Sequence, residues 1–197
     1  MTSCPSRTEA LELLYEFTQS DSLRRHALGV EQSMRKMAEK YGGDPDEWGI
    51  TGLLHDFDYE RYPTPEEHPY KGNQILKAKG YPDSIREAIM GHASYTGVTR
   101  DSLMAKALFA VDELTGFIFA VTYVRPSKSI LEVKPKSVKK KLKQRSFAAS
   151  VNRDDIYRGV EELKLDLTEH IQFMIDALKA KAEELGLKGS FNPNSTD

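Results

Sequence analysis

The sequence predicts an all-α protein, folded as a bundle of helices. Apolar residues recur at spacings of three and four over several long stretches, which is the period of an amphipathic helix. Glycine, proline and Asx residues separate these stretches at short intervals, as expected where helices begin and end. The only segment with any strand character, residues 129–133, is short. We therefore expect helices joined by loops throughout the chain.

The first half of the chain is predicted to form five helices. They cover, in order, about residues 8–17, 21–41, 46–56, 68–80 and 83–92. Asp21 can cap the second helix, and Gly42 and Gly43 end it. Asp44 followed by Pro45 supplies a cap and a first-turn proline for the third. Short loops rich in proline and glycine account for the remaining residues.

The second half combines one long apolar helix with a basic segment. Its predicted helices cover residues 102–124, residues 136–143, a segment capped by Asn152, and residues 166–185. Asp101 is placed to cap the first of these, and Gly186 closes the last. Residues 125–145 hold nine Lys or Arg and a single acid, Glu132. A charge run of this kind is usually a solvated face, but it could also bind an anion.

Length and composition bound the class of protein. With 197 residues we expect a single domain over residues 1–187 and a flexible tail over residues 188–197. The formal net charge of -2 gives no nucleic-acid signature. One cysteine, Cys4, no visible secretory signal and no apolar stretch of membrane-spanning length favour a cytoplasmic protein without a membrane partner. The last helix could close the core or pair with a second copy, which leaves a homodimer open.

Six residues on predicted inner helix faces or caps could build a metal site. They are His26, His55, Asp56, His68, His92 and Asp112. Imidazole and carboxylate together are ligands for Fe, Mn, Co, Ni or Zn. A single histidine on an apolar stripe is usually a hydrogen-bonded core residue, whereas six such groups without a cation would leave buried polar atoms without partners. We therefore expect one or two divalent transition-metal ions, and we interpret His170 as structural or surface.

The order His26, His55-Asp56, Asp112 resembles the pattern of the HD-domain superfamily, which is all-helical and consists mostly of metal-dependent phosphohydrolases. The segment starting at His68-Pro69 and the one ending at His92 resemble the two extra ligand positions of its two-metal branch. This resemblance implies an HD-domain-like helical bundle with a metal site in the helix core. It implies that His26, His55, Asp56 and Asp112 hold one metal, and that Asp56 bridges to a second on His68 and His92.

The resemblance also implies hydrolysis of a nucleotide or small phosphate ester by a metal-activated water. We expect Asp56 and Asp58 to be catalytic residues. Arg125, Lys128 and Lys136, which lie where the basic segment turns, are the candidates for binding the phosphorylated substrate. The substrate is expected to be a small molecule, and nucleic acid is not favoured because no aromatic residues interleave with the basic ones.

Two other functions share the same ligands. Some HD-domain proteins are mixed-valent di-iron oxygenases that act on small organic substrates. A non-enzymatic module with a structural metal is the other alternative, but six ligands exceed the roughly four that a closed structural site needs.

Overall fold

The computed structural model describes residues 5–190, and every regular element within that range is helical. The α-helices there are α1 (Arg7–Phe17), α2 (Asp21–Tyr41), α3 (Pro45–Leu54), α4 (Tyr70–Ala78), α5 (Asp83–His92), α6 (Leu103–Tyr123), α7 (Pro135–Leu142), α8 (Arg153–Glu162) and α9 (Leu167–Lys179). Two short 3₁₀ turns, Ser94–Thr96 and Ile130–Glu132, complete the list of helical elements. The predicted all-α class is confirmed.

Two long helices, α2 and α6, organise the interior. Helix α3 packs along α2, and α5 and α8 pack on α6, while α2 also contacts α6. Close approach between these helices depends on glycine, because a Cβ on Gly52 of α3 would lie 2.9 Å from the Val30 carbonyl oxygen of α2. A Cβ on Gly159 of α8 would likewise lie 2.6 Å from Cα of Ala110 on α6. These contacts bring the end of α3, the middle of α6 and the start of α8 to one side of the molecule.

Helix boundaries differ from the sequence predictions in several places. Asp21 is the first residue of α2 rather than its cap, α3 ends at Leu54, and α4 covers only Tyr70–Ala78. Ser102, rather than Asp101, caps α6 by accepting a hydrogen bond from the Ala105 amide at 3.1 Å. The Asp101 carboxylate instead accepts from the Thr99 hydroxyl. Helix α9 ends at Lys179, and residues 180–186 form turns that extend it only loosely. The segment with strand character contains the 3₁₀ turn at Ile130–Glu132.

The chain ends are covered only in part. Cys4 and residues 191–197 of the predicted tail lie outside the described residues. Of the tail, residues 188–190 are described, and the Ser190 amide donates to the Ser127 carbonyl at 2.9 Å. None of the helices within residues 5–190 is both long enough and apolar enough to cross a bilayer.

Candidate metal centre

All six ligand candidates meet at one place in the fold, in two groups. The first group is His26, His55 and Asp112, and the second is Asp56, His68 and His92. Within each group, one potential ligand atom from each residue lies within 4.8 Å of the others. The structure therefore brings these six side chains together.

The first group joins three helices. His26 on α2 faces Asp112 on α6, with Nε2 of His26 3.0 Å from Oδ1 of Asp112. His55, the residue that ends α3, is fully buried beneath them, and its Nε2 lies 3.2 Å from the same carboxylate oxygen. The close packing of α3 on α2 and of α2 on α6 places the three side chains together.

The second group is centred on Asp56. Its Oδ1 lies 3.2 Å from Nε2 of His68 and 3.2 Å from Nε2 of His92. The other oxygen, Oδ2, lies 3.3 Å from Nε2 of His55 in the first group. One carboxylate therefore faces both groups, which is the arrangement that a bridging ligand requires.

The histidine tautomers are set by the atoms behind the rings. Nδ1 of His55 lies 2.7 Å from the Gly52 carbonyl oxygen, and Nδ1 of His92 makes a short contact with the Ile89 carbonyl oxygen. A carbonyl oxygen only accepts, so both Nδ1 atoms carry the proton. The lone pairs of the Nε2 atoms then point into the cluster, as in metal-binding histidines.

The donor set fits a cation. Nε2 of His55 is buried without a hydrogen-bond partner among the described residues, although two carboxylate oxygens lie within 3.3 Å of it. Burial alone would lower the pKa of His55, but the charges of Asp56 and Asp112 raise it well above its usual value. Burial likewise works against ionising Asp112, yet His55 and His26 hold its pKa well below the usual range. The cluster therefore favours positive charge at its centre, which a divalent ion supplies.

Asp58 lies behind His68 and not in the cavity. Its Oδ1 is 2.8 Å from Nδ1 of His68, and its Oδ2 accepts a hydrogen bond from the Gly72 amide at 2.7 Å. With both oxygens engaged and its side chain buried, Asp58 orients His68. The catalytic role expected for Asp58 thus becomes a positioning role in the structure, whereas Asp56 does face the cavity.

A cavity of about 630 Å³, which we call the metal cavity, opens above the two groups. Five of the six candidates line it, and His55 lies beneath. Its other described lining residues are Leu23, Tyr59, Ala93, Ser94, Tyr95, Phe109, Glu113, Gly116, Ser150, Val151, Asn152 and Asp155. Among the described residues that line it, none is Lys or Arg. Apart from the ligand candidates, the wall carries the carboxyl groups of Glu113 and Asp155. Burial, and next the charge of Asp112, raises the pKa of Glu113 to about 8, so this group is mostly protonated near neutral pH.

The structure does not bring Arg125, Lys128 and Lys136 to this cavity. Arg125 lies thirteen residues beyond Asp112 along α6 and the turn after it, roughly 20 Å at the rise of an α-helix. Lys128 belongs to the same turn, beside the end of the described chain, and Lys136 lies on α7, which packs against α9. Their role in binding substrate stays a prediction, without support from the cavity lining.

The sequence analysis missed the part of the wall that comes from the start of α8. The Asn152 side chain caps α8, its backbone amide donates to Glu113 at 3.1 Å, and its Nδ2 donates to Asp155 at 2.7 Å. The cap itself was recognisable from the sequence. Its pairing with Glu113 was not, because it depends on the packing of α8 on α6.

Comparison with known proteins agrees with this geometry. Residues 23–116 match the family model of the HD domain, a range that contains all six ligand candidates. No match was found among curated proteins or among solved structures. HD domains bind divalent metals, and the two groups of His and Asp ligand atoms could hold such ions. The match spans a little under half of the chain and supports the resemblance of residues 23–116 to the HD-domain superfamily.

Proposed function

We propose that this protein is a metal-dependent phosphohydrolase that cleaves a nucleotide or another small phosphate ester. The observation that carries the proposal is the position of Asp56 between two groups of ligand atoms. One oxygen lies 3.2 Å from both His68 and His92, and the other lies 3.3 Å from His55. A carboxylate shared in this way suits two adjacent ions, which is a common device for hydrolysing phosphate esters.

The first ion would be held by His26, His55, Asp56 and Asp112, and the second by Asp56, His68 and His92. Four imidazoles among six ligands favour Mn, Fe, Co, Ni or Zn over magnesium. When bound, such ions supply a water of lowered pKa and neutralise the charge on the phosphoryl oxygens. The residues of the chain fix the ligand directions, since each of the Nδ1 atoms of His55, His68 and His92 is engaged behind its ring.

The rest of the wall suits a small substrate. Tyr95 donates its hydroxyl proton to the His68 carbonyl at 2.8 Å, and the Tyr59 ring packs edge-on against the His68 ring. Both tyrosine rings are partly exposed and offer an apolar surface to the organic part of the ester. The Asp155 carboxylate in the wall disfavours several negative charges at the same place, which supports a substrate with a single phosphate group there.

Phosphate release from a panel of nucleotides and sugar phosphates tests the proposal, with each candidate metal added in turn to protein stripped of metal. We expect release that depends on metal and falls by at least about a thousandfold in Asp56→Ala, because that change removes the shared ligand. Asp176→Asn on the exposed face of α9 is the matched control and should behave like the native protein.

The same assay separates the hydrolase from a di-iron oxygenase. A hydrolase turns over equally well with and without oxygen, since water is its only co-substrate. Oxygen consumption coupled to turnover of an organic substrate, or metal-loaded protein that releases no phosphate from any member of the panel, would overturn the proposal.

A further inference from the structure

A second cavity of about 520 Å³ lies beside the metal cavity. We call it the Arg158 groove; it lies between the Gly97 to Asp101 loop, Lys106 on α6, and Arg158 and Glu162 on α8. Ser94 lines both cavities. Phe109 also joins them, because its ring lines the metal cavity while the Arg100 guanidinium of the groove lies 3.7 Å from the ring centroid. Ser94 and Phe109 thus place the two cavities next to each other.

The groove carries more positive than negative charge. Arg100, Lys106 and Arg158 line it, against the two acids Asp101 and Glu162. Both oxygens of Glu162 are taken by Arg100, at 2.5 and 2.9 Å, so this pair is internally neutral. The remaining charged residues of the groove are one acid, Asp101, and two cations, Lys106 and Arg158.

The two remaining cations are available to a ligand. Within residues 5–190, no carboxylate lies in ion-pair distance of the Lys106 ammonium group. The Arg158 side chain is 49% exposed and lies 3.7 Å from Oδ1 of Asp155, a loose ion pair. Its Nη1 donates to the Ser94 hydroxyl at 3.2 Å, at the boundary between the two cavities.

The metal cavity offers the opposite chemistry. No Lys or Arg belongs to its described lining, and the Asp155 carboxylate is part of its wall. A second anionic group on the substrate would be repelled there once the first occupies the ions. The neighbouring groove offers such a group the half-exposed Arg158 guanidinium and the Lys106 ammonium group.

We propose that the Arg158 groove is a second anion subsite, which binds a negatively charged group of the substrate distant from the phosphoryl group that is cleaved. This inference rests on the proposed phosphohydrolase function and names its substrate class, a small phosphate ester with a second phosphate or a carboxylate at its far end. Lys106 and Arg158 hold that second group, and Arg100, fixed by Glu162 and Phe109, forms the floor.

A series of alkyl substrates with three to eight carbons tests the subsite and its distance from the ions. Each length is prepared as the diol monophosphate, the diol bisphosphate and the ω-carboxyalkyl phosphate. We expect the KM of at least one anionic compound to lie about tenfold below that of the neutral monophosphate of equal length, as one charge-assisted contact would give. The bisphosphate and carboxylate arms show which second group is recognised.

Variants and a binding measurement complete the test. In Lys106→Gln combined with Arg158→Gln, the KM ratio should fall to about one. Lys140→Gln combined with Lys143→Gln removes the same charge from two exposed residues outside the groove and should keep the ratio. The same ratio is measured as a ratio of Kd values by calorimetry with non-hydrolysable alkane bisphosphonates and alkylphosphonates, so this measurement does not need turnover.

A wild-type ratio near one at every length, or a ratio that the double variant keeps, overturns the subsite. Loss of phosphate release with a preserved Kd ratio overturns only the hydrolase.

Discussion

Oδ1 of Asp58 lies 2.8 Å from Nδ1 of His68, on the side of the ring that faces away from the metal cavity. The same carboxylate accepts the Gly72 amide at the start of α4. Asp58 therefore ties the loop after α3 to α4, and through this contact it directs Nε2 of His68 toward Asp56. A side chain that never reaches the cavity thus sets the direction of one ligand.

Replacing Asp58 with Asn should weaken metal binding. The carboxylate accepts from two N–H donors, whereas an amide has only one oxygen and would place its NH₂ group against either the His68 or the Gly72 donor. Loss of a contact behind a metal-binding histidine costs about 10- to 100-fold in affinity. A competition titration with a chromophoric chelator measures this, and Asp176→Asn provides the control. Equal affinities in the two variants would rule out the positioning role.

Gly72→Ala should cause the same loss from the other side of the contact. A Cβ on Gly72 would lie 2.7 Å from Cγ and Oδ2 of Asp58, closer than such atoms approach. Asp58 must then move away from His68, and we expect metal affinity to fall within the range predicted for Asp58→Asn. Chelator titration of the variant, with circular dichroism to check the helix content, measures the effect.

Gly116→Ala is the matched helical exchange with room for the methyl group. The new Cβ would meet only ring atoms of His26 at 3.8 Å, an ordinary contact. Alanine favours the helix by up to about 1 kcal/mol over glycine, so the free energy of unfolding should rise and Tm should increase by about 2–4 °C. The steric argument for Gly72 would be wrong if Gly72→Ala became more stable and kept its metal affinity while Gly116→Ala gained no stability.

Much of the metal centre was predictable because helical spacing carries the relevant information. His26 lies on an apolar stripe of α2, and Asp112 adjoins the stripe of α6, so both had to face the core. The pair His55-Asp56 directly follows the last residue of α3, where successive side chains still diverge by about 100° and can serve two neighbouring sites. Local pattern was sufficient for these residues, and the same holds for the all-α class.

Contacts between distant segments were not predictable. Asp58 looked like a catalytic acid beside the His-Asp pair, and only the fold shows that the Gly72 amide and His68 occupy both of its oxygens. The basic turn at Arg125 and Lys128 follows α6 directly in sequence, yet the length of α6 carries it away from Asp112. The number of basic residues in a segment does not tell how far they lie from the metal ligands. For the same reason the sequence did not indicate the groove at Arg158.

The loop that walls the metal cavity depends on Arg153. Its guanidinium donates to the carbonyls of Ala148 and Val151 at 2.6 and 2.7 Å, and also to that of Phe147. Arg153→Ala should free residues 144–152, and amide hydrogen exchange there should accelerate about 10- to 100-fold, as expected for the loss of 1–3 kcal/mol of hydrogen bonding. Mass spectrometry resolves the affected peptides.

Arg145→Ala in the same loop is the control, since Arg145 is exposed and its loss should leave the exchange of this loop unchanged. Arg153→Lys is informative as well, because a lysine keeps the charge but lacks the planar fork that serves several carbonyls at once. It should resemble Arg153→Ala. Exchange equal to the native rate in Arg153→Lys would mean that charge alone orders the loop.

His170, on α9, lies outside the metal centre and should make the free energy of unfolding fall at acidic pH. It is buried, its Nε2 contacts the Ala110 carbonyl oxygen at 2.9 Å, and its Nδ1 has no hydrogen-bond partner among residues 5–190. Burial, and secondarily the charge of Lys40, lowers the pKa of His170 below its usual value of 6.5. The folded state therefore keeps this ring neutral at a pH where the unfolded chain binds a proton.

The sign of the pH dependence follows from that difference. Above pH 6.5 neither state is protonated and His170 has no effect; below it the unfolded state binds more protons, so the free energy of unfolding falls as the pH falls. The loss grows by at most about 1.4 kcal/mol per pH unit and stops once the pH passes the folded pKa.

His170→Gln keeps an N–H donor for Ala110 but does not titrate. Urea unfolding of both metal-free proteins from pH 7.5 to 5 should show the native protein losing stability relative to the variant below pH 6.5. The other histidines cancel in that difference, so parallel curves would mean that His170 takes up its proton without unfolding.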